Sequence, residues 1–305
     1  MTAPMKIVMT GASGLIGSAL RPALKTDGHE VIPLRRASRC SIAPAGLAWD
    51  PGESRLPAGA LENLDAVIHL AGENVAARRW TAAGKRRIRE SRVAGTRRLC
   101  EALARLEHPP RILLAASAIG YYGDRGAALL DEESPPGSGF FPDLCREWEA
   151  STQPATEAGV RVVHLRFGVV LTRAGGVLPR MLPVFQWGLG GPLGRGDQYI
   201  SWVAMEDVVN TTRHALRDQA LRGPVNVVSP QPVTSREFAQ ALGGLLRRPT
   251  LFRVPAFVLK LVLGEMAGPL LLASARVDPA KLKASGYAFR LPALKDALRS
   301  ELGIP

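Results

Sequence analysis

The segment Lys6-Ile-Val-Met-Thr10, followed at once by Gly11-Ala12-Ser13-Gly14-Leu15-Ile16-Gly17, decides the fold of this chain. The first five residues are mostly apolar and β-prone, and residues 18–25, after the glycines, have helical spacing. Strand, glycine turn and helix occur here in the order found at dinucleotide-binding sites. In that arrangement Gly11 permits the tight turn, Gly14 lets the backbone approach a pyrophosphate, and Gly17 lets the helix pack closely on the sheet. Free N–H groups at the helix start would bind phosphate oxygens, and a glycine turn without a ligand is the alternative.

Two arginines follow the second predicted strand, residues 28–34, where the ribose of an adenosine would lie. An NAD-specific site usually carries Asp or Glu there, to accept hydrogen bonds from the ribose hydroxyls. Arg35 and Arg36 instead suit a 2′-phosphate, because guanidinium groups bind phosphate oxygens in pairs. The alternative is that both arginines belong to a loop without a ligand. The sequence therefore predicts NADP(H) as the cofactor.

Two further strands are predicted at residues 65–72 and 111–116. The first ends in Leu70, Ala71 and Gly72, and short side chains are expected where the backbone passes close to the adenosine and pyrophosphate. His69 lies inside this strand, so we expect a packed core residue rather than a base.

The order of elements predicts an α/β protein of the Rossmann class, with a doubly wound parallel sheet. We place an NADP-binding Rossmann domain at residues 1–170, and a smaller, mostly helical substrate-cleft and C-terminal domain at residues 171–305. Thr234-Ser-Arg-Glu237 predicts a capped helix in the second part. The most apolar stretch, residues 256–273, is interrupted by charged residues and a proline, so it predicts a buried or surface-packed helix, not a membrane span.

The formal net charge is +12, from 39 Lys and Arg against 27 Asp and Glu. The densest basic cluster lies between residues 78 and 98, and it allows three interpretations: a solvated helix face, a phosphate-binding surface or a nucleic-acid footprint. Nucleic acid is the least favoured, because no DNA-reading motif is present. The charge favours a small anionic substrate. The cysteines form no CxxC pair and no signal-peptide pattern opens the sequence, so we expect a cytoplasmic protein with neither a metal site nor a membrane partner.

Several further motifs carry a family resemblance. They are TGASGLIG at residues 10–17, HLAGENV at 69–75, SAIGYYGD at 117–124, PQPVT at 230–234, GEMA at 264–267 and GYAF at 286–289. With them the chain resembles the extended short-chain dehydrogenase/reductase superfamily, and within it an atypical epimerase branch often labelled as cell-division inhibitors. The last three motifs resemble that branch's own C-terminal domain.

The resemblance implies cofactor contacts at the glycine turn, at Arg35 and Arg36, at residues 70–72, and at Arg92 and Val170. Typical extended members carry Asn where this chain has Arg92, just before Val93-Ala-Gly-Thr96. An arginine there could reach a cofactor phosphate or an anionic substrate group, and an exposed helix arginine is the alternative.

The same resemblance raises a question about catalysis. The superfamily uses a Tyr that exchanges a proton with the substrate, and a Lys four residues later. Those positions become Phe141 and Cys145 here, and neither side chain can do that work. Ser117 matches the active-site Ser/Thr of the superfamily, and a hydroxyl that merely ends the strand is the alternative. Tyr121 and Tyr122 are the nearby phenols, and one of them could replace the missing acid. The alternative is that Tyr122-Gly-Asp124, which also matches a motif of the substrate pocket, only lines that pocket.

Two functions follow from these observations. The first is an NADP(H)-binding oxidoreductase or epimerase-like protein that acts on a small substrate. The second is a non-catalytic protein that senses NADPH or regulates, in connection with cell division, as the label of the branch suggests. Gln198, Ser201 and Trp202 could recognise a polar ligand in the second half, with Trp202 as a core residue the alternative.

Overall fold

The central element of the structure is a seven-stranded parallel sheet. The computed structural model describes residues 3–36, 47–49, 61–77 and 79–304. Within these ranges the strands are β1 (Lys6–Thr10), β2 (Glu30–Arg36), β3 (Leu47–Trp49), β4 (Ala66–His69), β5 (Ile112–Ala118), β6 (Leu129–Leu130), β7 (Arg161–Phe167), β8 (Val169–Leu171), β9 (Tyr199–Ile200), β10 (Trp202–Ala204), β11 (Gly223–Val227), β12 (Val233–Thr234) and β13 (Arg276–Val277). The sheet has the order β3-β2-β1-β4-β5-β7-β11, the doubly wound order, so the predicted Rossmann class is confirmed.

Helices cover both faces of this sheet. In the described residues they are α1 (Leu15–Thr26), α2 (Ala82–Arg89), α3 (Gly95–Leu103), α4 (Phe140–Ala150), α5 (Gln153–Glu157), α6 (Leu178–Gln186), α7 (Met205–Arg217), α8 (Ser235–Leu246), α9 (Ala256–Leu263), α10 (Ala280–Ala284) and α11 (Leu294–Leu302). Ile7 and Met9 of β1 pack in one core with α1 and α7, whereas Val8 faces a second core with α3. This alternation follows from the two-residue period of a strand, and it requires cover on both faces.

The reversal of strand order places the ends of β1 and β4 side by side, with Thr10 opposite His69. Parallel strands end at one edge, so the glycine turn after β1 meets residues 70–72 after β4. A ligand crevice is expected at this edge of a doubly wound sheet.

The C-terminal part is mostly helical, as predicted, with a third core around α6, α8 and α11. Thr234 caps α8 in a capping box with Glu237, as the sequence predicted. The chain returns to the sheet layer with α7 and β11 beyond residue 171, and the division at 170/171 stays a prediction. No helix in the described ranges is long and apolar enough to cross a membrane.

Candidate functional site

Two glycines of the turn after β1 occupy positions that a larger residue could not fill. Gly11 has a φ of 66°, and a Cβ on it would lie 2.7 Å from the carbonyl carbon of Leu70. A Cβ on Gly17 would lie 2.3 Å from the carbonyl oxygen of Gly11. The turn is therefore pressed against both its own helix and the end of β4, which keeps the backbone bare at this edge.

The N-terminus of α1 is open to an anion. Gly14 caps the helix without a side-chain hydrogen bond, and no acidic residue lies in the first turn. Ser13 and Gly14 are exposed, and Leu15 and Ile16 are half-buried. The first backbone N–H groups of a helix have no partner within it, and together with the helix dipole they favour a phosphate. The residues of the turn therefore fit the pyrophosphate of a dinucleotide.

A buried hydrogen-bond chain holds the turn in place. The Thr10 hydroxyl accepts from the backbone N–H groups of Leu70 and Ala71, both at 3.2 Å, and lies 2.7 Å from Nδ1 of His69. Nε2 of His69 is 2.9 Å from the hydroxyl of Thr96 on α3. Burial lowers the pKa of His69 to about 4, so the ring is neutral near pH 7. His69 is thus a core residue that connects β1, β4 and α3.

Arg35 lies at the carboxyl end of β2, next to the glycine turn. Its neighbour Leu34 is paired with Thr10, the last residue of β1, and the Arg35 side chain is exposed. An exposed cation beside the turn is available to a ligand phosphate. The side chain of Arg36 lies outside the described part of the structure.

Arg92 points inward, so the exposed-arginine alternative does not apply. Residues Glu90–Ala94 form a π-helical turn between α2 and α3. Nη1 of Arg92 donates to the carbonyl oxygen of Glu73 at 2.7 Å, and the hydroxyl of Ser91 accepts from the N–H of Glu73 at 3.1 Å. The guanidinium group also lies 5.0 Å from the Trp148 ring. The π-helical turn therefore positions the backbone just after Gly72, a common use of such turns.

Ser117, at the end of β5, belongs to a second polar group. Its hydroxyl donates to Oε1 of Glu149 at 2.6 Å. Arg166 of β7 donates to both oxygens of Glu149, at 2.8 Å each. The Ser117 and Arg166 side chains are almost fully buried, and 11% of the Glu149 side chain is exposed. A two-point Arg–carboxylate pair of this kind fixes the carboxylate strongly.

The structure brings Tyr121 and Tyr122 close to this pair but in different settings. The Tyr122 hydroxyl accepts from Nη1 of Arg166 at 2.9 Å and donates to the side chain of Asn226 at 2.7 Å. Tyr122 is fully buried, and burial raises its pKa to about 12. The Tyr121 ring lies 3.6 Å from the guanidinium carbon of Arg166 and is half-buried. Of the two phenols, Tyr121 is the one that is partly exposed.

Phe141 packs among apolar residues, whereas Cys145 is buried near the charged group of Glu149. A Cβ on Gly120 would lie 2.3 Å from the Phe141 ring, and Trp80 lies 5.9 Å from that ring. Cys145 is buried, and burial raises its pKa to about 12, so the thiol is neutral. The two positions that carry Tyr and Lys in the superfamily thus contribute packing and no charge.

Val170 lies in β8, opposite Val203 of β10, and is half-buried.

The three residues of the second half that the sequence suggested for ligand recognition make their hydrogen bonds within the protein. Nε2 of Gln198 donates to the carbonyl of Leu193, the Ser201 hydroxyl to that of Ala275, and Nε1 of Trp202 to that of Gln231. All three residues are buried, and Trp202 is a core residue.

Four of the eight described cations of the basic cluster form ion pairs with carboxylates. Lys85 pairs with Glu265, Arg87 with Glu73 and Arg89 with Glu147. Arg78 lies outside the described residues. This arrangement favours the solvated-face interpretation.

Sequence reasoning missed the role of Glu149 and Asn226. Glu149 meets Ser117 from 32 residues away, and Asn226 meets Tyr122 from 104 residues away. Glu149 lies one helical turn after Cys145 on α4, the one local signal that it faces the same side.

Comparison with known proteins agrees with this geometry. The NAD dependent epimerase/dehydratase family matches residues 7–228, and a domain of unknown function matches residues 254–301. The epimerase family protein Mb2239 of Mycobacterium bovis is 41% identical over 292 residues, which cover 96% of each chain. The crystal structure of human epimerase family protein SDR39U1 (isoform 2) with NADPH matches with a TM-score of 0.90 at 33% identity. That match covers 98% of this chain and 99% of the human one.

These matches confirm the resemblance that the sequence motifs carried. A family model that spans more than two thirds of the chain, and relatives that cover nearly all of it, leave the assignment clear. The chain belongs to the NAD-dependent epimerase/dehydratase family.

Proposed function

We propose that this chain is an NADP(H)-dependent oxidoreductase that acts on a small alcohol or carbonyl substrate. One observation carries the proposal: the open N-terminus of α1 and the Ser117–Glu149 pair lie at the same edge of one sheet. A human relative of nearly equal length has been crystallised with NADPH, which supports the choice of cofactor. Ligands in this fold bind along that edge.

We expect each group of residues predicted from the sequence to contact a different part of the cofactor. Backbone N–H groups of residues 11–17 would hold the pyrophosphate, and Arg35, with Arg36, would hold the 2′-phosphate. Residues 70–72 would line the adenosine side, and Arg92 would position that backbone through Glu73. Val170 would lie toward the nicotinamide. When bound, the cofactor would supply or accept a hydride.

Ser117 and Glu149 are proposed to move the proton. Because the Ser117 hydroxyl donates to Glu149, its oxygen is left to accept from a substrate hydroxyl. During alcohol oxidation the substrate proton passes to Ser117, and the Ser117 proton passes to the carboxylate of Glu149. During carbonyl reduction both protons move the other way. Arg166 holds Glu149 in position.

A second route uses Tyr121, which we propose as the phenol that replaces the missing acid. Tyr122 is less suited, because Arg166 and Asn226 already engage its hydroxyl. Two substitutions distinguish the two proton routes. Glu149→Gln would stop the first and spare the second, whereas Tyr121→Phe would do the reverse.

The test is NADPH consumption in the presence of fractionated cell metabolites. We expect at least one carbonyl fraction to support turnover, and Ser117→Ala to lower it by about 100-fold or more, the usual contribution of a group that transfers a proton. Ser300→Ala, on the exposed side of α11, is the control and should retain the activity. Unchanged turnover in Ser117→Ala would contradict the assignment of Ser117.

Phe141 has no ionisable group and Cys145 carries a neutral thiol, which favours one competing function, a non-catalytic NADPH sensor. A sensor would bind NADPH with no consumption in any fraction, and would change a conformation instead. Limited proteolysis with and without NADPH, performed on the same preparation, would then show protection while turnover stays at zero.

A further inference from the structure

The exposed apolar side chains of this protein are concentrated in two segments. Of the nine exposed large apolar residues in the described part of the chain, eight lie in residues 184–189 and 251–262. They form what we call the apolar rim: Val184, Trp187, Leu189, Leu251, Phe252, Phe257, Leu261 and Val262. Trp187 is 82% exposed and Leu251 is 85% exposed. A soluble monomer rarely gathers such residues in one place without a use for them.

Backbone contacts bring the two segments close together. The N–H of Val254 donates to the carbonyl of Pro192 at 3.0 Å, and the N–H of Gly194 donates to the carbonyl of Val254 at 2.9 Å. A Cβ on Gly191 would overlap the carbonyl oxygen of Phe252. Helix α9 begins directly afterwards, at Ala256. The chain between α6 and β9 therefore runs alongside the approach to α9.

Helix α9 has the composition of a buried helix but the exposure of a surface one. Its sequence, AFVLKLVL, is apolar on every side except at Lys260, and none of its residues is buried. A helix that is apolar all round is normally covered by protein or by lipid. The described part of the chain leaves every residue of α9 at least partly exposed, so the helix offers an apolar surface to a partner.

The two chain segments around the apolar rim contain cations but no carboxylates, and the nearest carboxylates along the chain are Asp197 and Glu265. Residues 178–195 and 247–263 contain no Asp or Glu but six exposed cations, namely Arg180, Arg195, Arg247, Arg248, Arg253 and Lys260. Within the described ranges, Arg195 is the one of these that pairs with a carboxylate, Asp197. Apolar side chains and unbalanced cations thus share one surface.

We propose, contrary to the expectation from the sequence of no membrane partner, that the apolar rim docks this protein on an anionic lipid bilayer as a peripheral protein. Lipid phosphates would neutralise the cations while Trp187, Phe257 and Leu261 enter the boundary between headgroups and acyl chains. A second copy of the chain fits less well. A two-fold dimer would place this surface against itself, and its cations would then face each other. The proposal is independent of the function proposed above, because no residue of the cofactor site takes part.

Tryptophan fluorescence gives a direct signal for docking. Four of the five tryptophans, Trp49, Trp80, Trp148 and Trp202, are at most 7% exposed, so a change in emission on lipid binding reports Trp187. We expect the full-length protein to sediment with vesicles of phosphatidylglycerol and phosphatidylcholine, with a blue shift. Vesicles of phosphatidylcholine alone should bind it far less, and added salt should weaken the binding.

Substitutions within the apolar rim and among its cations measure how much each kind of side chain contributes to lipid binding. Phe257→Ser should lower the partition coefficient by about tenfold or more, the effect expected for removing a large apolar side chain from the interface. Lys260→Gln and Arg248→Gln should each lower it by about fivefold, as expected for one cation near an anionic surface. Leu129→Ser is the control, because Leu129 lies outside the apolar rim and is 62% exposed, against 70% for Phe257. It should leave lipid binding unchanged. Trp187→Phe should keep most of the binding but lose the blue shift.

Two results would overturn the proposal. One is equal or absent binding to both kinds of vesicle at low salt. The other is a dimer, detected by light scattering, that Phe257→Ser dissociates while anionic vesicles neither bind the protein nor compete with dimer formation. The second result would assign the surface to a second copy of the chain.

Discussion

At the scale of single residues, Arg35 is the described side chain that would distinguish NADPH from NADH. It is exposed at the end of β2, beside the glycine turn. Arg35→Ala should weaken NADPH binding by about 10- to 100-fold, the usual value of a hydrogen bond to a charged group, and should leave NADH binding nearly unchanged. Fluorescence titration with both nucleotides measures the two affinities.

The control for this prediction is Arg111→Ala, because Arg111 is exposed just before β5 at the opposite edge of the sheet. An equal loss of affinity in both variants would mean that general positive charge, rather than Arg35, attracts the nucleotide. An equal loss for NADPH and NADH in Arg35→Ala would exclude a 2′-phosphate contact.

His69 gives the protein a stability that depends on pH. Its folded-state pKa of about 4 lies below the ordinary value of 6.5, because burial disfavours the charged ring. As the pH falls, the unfolded chain therefore binds a proton at this ring before the folded protein does. The contribution of His69 to the free energy of unfolding is complete above pH 6.5 and is lost as the pH falls toward 4. Between pH 7 and pH 5 the loss amounts to about 2 kcal/mol.

Replacement of the ring should remove that loss. In His69→Gln, the free energy of unfolding should change less between pH 7 and pH 5 than in the wild type, by about 2 kcal/mol. Urea unfolding at both pH values measures it. His108→Gln, at an exposed histidine, should behave as the wild type does. Equal pH dependence in His69→Gln and the wild type would mean that folding does not lower the pKa of His69.

At the scale of elements, the turn into α1 depends on close packing at Gly17. A methyl group there would meet the Gly11 carbonyl at 2.3 Å, so Gly17→Ala must displace the turn. We expect it to lower NADPH affinity by about tenfold or more, and to destabilise the fold by about 1–3 kcal/mol. Thermal unfolding and nucleotide titration of the same variant measure both effects.

Gly244, inside α8, is the control position for Gly17. A Cβ on Gly244 would meet nothing within 4 Å, and the position is exposed and helical. Gly244→Ala should therefore stabilise the protein by about 0.4–1 kcal/mol and leave the nucleotide affinity unchanged. If both substitutions had the same effect on affinity, the close approach at Gly17 would not be the cause.

The elements near the cofactor turn could be predicted because their signals are local. Residues 6–10 form the predicted strand, and the predicted second strand is found two residues later, as Glu30–Arg36. The end of the apolar stretch was harder to foresee. Residues 256–273 form α9, a short 3₁₀ turn and a π-helical turn, because Gly264 and Pro269 interrupt one long helix.

Long-range partners could not be predicted from the sequence. The carboxylate of Asp207 accepts hydrogen bonds from the Tyr287 hydroxyl and from the backbone of Arg290 and Leu291, which follow it by 80, 83 and 84 residues. Glu149 reaches Ser117 and Arg166 only because α4 packs beside β5 and β7. Such contacts depend on packing between elements, which spacing along one chain does not encode.

At the scale of the whole molecule, the sheet edge, the helices and the C-terminal part converge on one crevice. The glycine turn, residues 70–72 and Ser117 follow neighbouring strands of one sheet. Met266 of the C-terminal part packs with Trp80 and Leu144 in the cluster that also holds Phe141. The C-terminal part therefore packs against the elements that carry Trp80 and Phe141.

The most direct test of this account is a calorimetric titration of the purified protein with NADPH and with NADH. The open N-terminus of α1 and Arg35 together predict one saturable site for NADPH, at least about tenfold tighter than for NADH. Failure of both nucleotides to bind, or equal affinity for the two, would contradict it.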